Sequence, residues 1–89
     1  MNGEHMAEQK PVSFAADIRP MFRQIDIDHM SGLDVALDDY AYMSKRENAE
    51  RVLKFLDGTE TPQMPPGGPF WTQEQLDLLS RWIKDGSKP

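Results

Sequence analysis

Apolar residues gather most regularly near the end of the chain, where Leu76, Leu79, Trp82 and Ile83 recur at helical spacing. Asp77, Arg81, Lys84 and Asp85 occupy the positions between them, which predicts one buried stripe and one hydrated face. Thr72 and Gln75 stand three residues apart just ahead of the stripe, the spacing of a reciprocal cap. Gly86 supplies the stop. A second helical period runs through Ala49, Val52, Leu53 and Leu56 and closes at Asp57-Gly58. Ser44 and Glu47 have the capping-box spacing at its start, and Asp39 offers an earlier cap that adds Tyr40 and Met43.

The front of the chain predicts shorter pieces. Ser13 caps a turn over Phe14–Ile18 that carries Asp17, and Pro20 opens a second turn reaching Gln24, with Arg19 as the joint. Val12, Phe14, Ile18, Met21 and Phe22 form their apolar face. From Ile25 to Asp38, acids, Ser31 and Gly32 interrupt any period, and the segment reads as a loop. A second loop spans 59–71 and holds four prolines and two glycines, so its backbone is expected to be stiff and extended. No segment has a convincing strand pattern. The expected fold is all-α: three to four helices with long loops, in one domain over 12–87. Residues 1–11 read as a disordered or vector-derived arm.

Composition narrows the function. Fifteen acidic residues against ten basic ones give a net charge of −5, with the basic residues scattered. Phosphate binding needs clustered cations, so nucleic acid is excluded as a partner. With no cysteine there is no disulfide, thiolate metal site or thiol nucleophile. No run approaches the roughly eighteen apolar residues of a membrane span, and no secretory leader is visible, so a cytoplasmic monomer is expected.

Several short motifs together carry a resemblance. Val12-Ser13-Phe14, Asp17-Ile18-Arg19-Pro20, Met64-Pro65-Pro66-Gly67-Gly68 and the stretch Gln75 through Gly86 with Arg81-Trp82-Ile83 resemble a bacterial cytochrome c domain of class I type. The resemblance spans most of the chain between Val12 and Gly86. It implies a small cytochrome c-like helical cluster. In that family a Cys-x-x-Cys-His motif follows the first helix, and a methionine before paired prolines ligates the iron. Here the corresponding segment is Ile25-Asp26-Ile27-Asp28-His29. The histidine is kept and both cysteines are replaced, so thioether attachment of haem is chemically excluded. The chain is also similar to small cysteine-free relatives of this type.

Four constellations remain to be weighed. The resemblance makes His29 and Met64 an axial pair for non-covalent haem, set against a surface histidine and a core-filling methionine. Asp26, Asp28, Asp34, Asp38 and Asp39 are hard ligands, but the EF-hand register puts Ser31 at the glycine position and Leu37 at the final acid; solvated loop acids and caps are expected instead. Ser31 or Ser44 beside His29 has no diagnostic spacing, and no enzyme is expected. Phe70 and Trp71 close the proline loop as aromatic anchors for a protein partner, or else they fill the haem volume together with Met64, Tyr40 and Tyr42. The expected function is therefore a haem-free, non-enzymatic protein-interaction module, with a His29/Met64 haem or electron-transfer protein as the alternative.

Overall fold

The computed structural model describes residues 11–61, 63–65 and 68–89. The arm expected over 1–11 lies outside the described residues except for Pro11, and so do Pro62, Pro66 and Gly67 of the proline loop. The described chain is all-helical, with no strand. Its elements are α1 (Phe14–Ile18, a π-type turn), a 3-10 turn over Arg19–Met21, α2 (Gln24–Ser31), α3 (Tyr40–Met43), α4 (Arg46–Asp57) and α5 (Gln73–Lys84).

The two long helices begin and end largely as their sequences dictate. In α5 the Thr72 hydroxyl accepts the Gln75 N–H at 3.2 Å, while the Gln75 side-chain oxygen accepts the Thr72 N–H at 2.8 Å. Leu79, Trp82 and Ile83 are buried, and α5 packs on both α4 and α1. Gly58 ends α4 in the left-handed conformation at φ 88°, which allows Glu60 N–H to reach back to the Lys54 carbonyl at 3.1 Å. Val52, Phe55 and Leu56 form the buried side of α4. At the front, the Ser13 hydroxyl accepts the Ala16 N–H as expected, and Phe14 and Ile18 turn inward.

Three boundaries differ from the sequence expectation. The box between Ser44 and Glu47 does not form. Ser44 is instead the C-cap of α3, where its hydroxyl donates to the Ala41 carbonyl oxygen at 3.2 Å, and α4 starts after Lys45. Asp39 does cap α3, accepting the Ala41 N–H at 3.0 Å, so one long helix becomes two. The Asn48 amide donates to the Tyr42 carbonyl and joins them. The turn at Pro20 closes at Met21 rather than Gln24, because a new helix begins at Gln24. That helix is the largest correction: the segment expected as a loop from Ile25 opens with α2. Its buried face consists of Asp26, Ile27 and Met30. A carboxylate occupies one of its core-facing positions and hides the helical period.

Candidate functional site

Where α2, the end of α4 and the proline loop meet, the core is not quite closed. A cavity of about 10 Å³ lies between Phe22, Asp26, Met30, Phe55, Met64 and Trp71. Outside it runs a groove of about 240 Å³. Asp26, Pro65 and Trp71 line both spaces and form the wall between them. The groove lining is apolar at Met21, Pro69 and Phe70 and polar at Arg23, Thr72 and Gln75.

Met64, Trp71 and Asp26 are each fixed by their neighbours. Met64 is pinned through its backbone, whose N–H donates to the Phe55 carbonyl oxygen at 2.9 Å at the end of α4. Its side chain is buried in the core. Trp71 is only 9% exposed, and its ring lies 5.3 Å from that of Phe22. Asp26 is 4% exposed and satisfied by a single neighbour. Its Oδ2 accepts from the Arg23 backbone N–H at 3.0 Å and from Arg23 Nε at 3.1 Å, and its Oδ1 accepts from Arg23 Nη2 at 2.9 Å. The backbone bond is half of a capping box at the start of α2; arginine has no acceptor with which to complete the other half.

This arrangement sets the ionisation of the pair. Burial pushes the Asp26 carboxyl up, but the hydrogen bonds and charge of Arg23, with a smaller contribution from His29, outweigh it and hold the group below the ordinary carboxylate value. The Arg23 guanidinium is raised by its hydrogen bond to Asp26 and by the carboxylate charge. The groove therefore carries a carboxylate and a guanidinium, both ionised at neutral pH.

The proposed axial pair is not brought together. Met64 lines the inner cavity, whereas His29 is exposed and lines neither the cavity nor the groove. Ile25 and Asp28, where the resemblance would set the two cysteines, are both exposed, Ile25 at 66%, and Asp28 accepts a hydrogen bond from Gln24. A haem held by His29 and Met64 needs both donors facing one macrocycle-sized space. A solvent-facing histidine and a methionine on a 10 Å³ cavity do not fit that group. Of the acids expected as solvated loop residues and caps, Asp26 is instead buried against Arg23, and among the described residues no three His, Asp or Glu side chains converge as metal ligands would.

The aromatic pair at the end of the proline loop is divided between two environments. Trp71 belongs to the wall, while Phe70 is 50% exposed on the rim of the groove. Tyr40 and Tyr42, expected among the fillers of the haem volume, do not line the cavity; the Tyr40 hydroxyl donates to the Ser87 carbonyl oxygen at 2.6 Å instead. The sequence pattern does not single out Arg23 or Gln75 as site residues, and it offers Asp26 only among possible cation ligands. The available signal was an arginine followed three residues later by an acid, ahead of Ile27 and Met30. Comparison of the chain with protein-family models, curated proteins and solved structures gives no match.

Proposed function

We propose that this chain is a haem-free, cytochrome c-like helical domain serving as a non-enzymatic protein-interaction module, with the groove beside Phe70 as its docking site. The observation that carries the reading is the separation of the two aromatics: Trp71 is built into the core wall while its neighbour Phe70 is left half-exposed on the groove rim. A large aromatic on a stiff, proline-flanked backbone loses little conformational freedom on association, which is how interface anchors work. The core behind it is filled by side chains but for a cavity of about 10 Å³, so the groove floor is preformed. The net charge of −5 supports a protein rather than a nucleic-acid partner and favours encounter with a basic surface. Within this reading the domain is a cytoplasmic monomer until its partner docks. Among the described residues no helix is long and apolar enough to cross a membrane.

The test is capture of a partner from the source cells, followed by affinity measurement over a range of salt. The reading expects one-to-one binding that weakens with Phe70→Ala and an association rate that falls as salt screens the charged surface. A captured partner whose affinity ignores Phe70 would move the interface elsewhere and contradict the docking site.

A further inference from the structure

The groove offers unused hydrogen-bond donors and no unused acid. Arg23 meets Asp26 side-on, through Nε and Nη2, so the buried carboxylate engages two of the five N–H groups of the guanidinium. No other partner holds the guanidinium among the described residues, and the side chain is 51% exposed. Its end-on edge, one N–H from each terminal nitrogen, is therefore open. Gln75 is in a similar state. Its side-chain oxygen accepts from Thr72 N–H to cap α5, which leaves the amide nitrogen as a donor. Asp26, the only acid lining the groove among the described residues, already accepts three hydrogen bonds.

We propose that this groove binds an acidic side chain of the partner protein, a Glu or Asp flanked by an apolar residue. The carboxylate is received by the end-on edge of Arg23 with help from the Gln75 amide. The apolar neighbour packs on Met21, Pro69 and Phe70. The inference rests on the interaction reading above and names the chemistry of that site. A guanidinium held rigid by a buried carboxylate is prepared for a second, planar acceptor, because little side-chain freedom remains to be lost. A groove of about 240 Å³ suits one such side chain and its neighbour rather than a large cofactor. The chain's net negative charge opposes a free anion at long range, but at physiological salt that repulsion fades over about 8 Å. An acidic anchor set in an otherwise basic partner surface satisfies both conditions.

The experiment uses the full chain, ¹⁵N-labelled, and three capped dipeptides as probes: acetyl-Leu-Glu-amide, acetyl-Leu-Gln-amide and acetyl-Leu-Lys-amide. The signals followed are Arg23 Nε–H, the Gln75 side-chain amide and the Phe70 backbone amide. The expected result is that the Glu probe shifts all three signals and binds at least tenfold more tightly than the Gln or Lys probe. Arg23→Lys keeps the charge but loses the fork, and should weaken the Glu probe at least tenfold. Should that variant fail to fold, Gln75→Glu serves instead. A glutamate there retains the capping box with Thr72 while setting a carboxylate in the groove, so it should abolish binding of the Glu probe and leave the melting temperature unchanged. If the Gln or Lys probe shifts Phe70 as strongly as the Glu probe does, the acidic anchor is wrong and the docking groove stands. If no probe moves any groove signal, both the anchor and the groove are wrong.

Discussion

The indole nitrogen of Trp82 donates to the Lys88 carbonyl oxygen at 2.8 Å, and that same oxygen accepts the N–H of Phe14 at 2.9 Å. One acceptor thus ties α5, the segment after it and the first turn of the chain together. Phe14 lies 5.6 Å from the Trp82 ring, which is fully buried. Trp82→Ala removes this packing and should cost about 3–5 kcal/mol, enough to unfold so small a domain at moderate temperature. Trp82→Phe keeps most of the burial and leaves the oxygen bonded to Phe14, so it should cost less than the alanine variant. Urea titration of both variants checks the order.

Acid should weaken the wall. The folded-state pKa of Asp26 is depressed, so the folded protein holds that proton less tightly than the unfolded chain does. The stabilisation is fully present above the unfolded carboxylate pKa of about 4 and is lost as pH falls through the lower folded value. Asp26→Asn should lower the melting temperature at pH 7. The gap between variant and wild type should then narrow steadily below pH 4. A gap that stays constant down to pH 2 would show that the pair contributes no linked protonation.

Met64 is placed to fill space rather than to ligate. Met64→Leu preserves volume and should cost less than about 1.5 kcal/mol, whereas Met64→Ala enlarges the inner cavity and should cost about 2–5 kcal/mol. Haemin added to the wild type or to either variant should produce no Soret shift that depends on residue 64 or on His29. A one-to-one haemin spectrum lost in both His29→Ala and Met64→Ala would contradict this placement.

The long helices were legible because local and global signals coincide. In α5 the capping pair Thr72 and Gln75 and the stripe of Leu79, Trp82 and Ile83 agree, and the helix runs over Gln73–Lys84. Helix α2 was not legible, for the same reason that its site is interesting. Asp26 faces inward where a helical period requires an apolar residue, and only its bonds to Arg23 make that burial tolerable. A pattern reading that treats acids as hydrated must place this segment in a loop. Ser44 misled differently: its spacing to Glu47 suits a helix start, but Asp39 had already begun a turn that ends on Ser44. Trp71 is buried through its packing on the distant Phe22 while Phe70 is left exposed, a difference that neighbouring residues do not encode.

The central claim is that these two adjacent aromatics do different work, and a paired measurement on Phe70→Ala and Trp71→Ala tests it most directly. Each variant is assayed for chemical stability and for affinity to the captured partner. Phe70→Ala should leave stability within about 0.5 kcal/mol of wild type, as exposed substitutions do, while weakening binding at least tenfold. Trp71→Ala should cost about 3–5 kcal/mol of stability by opening the wall between cavity and groove. If Phe70→Ala binds normally and melts early, Phe70 is core filling, and the docking surface proposed here does not exist.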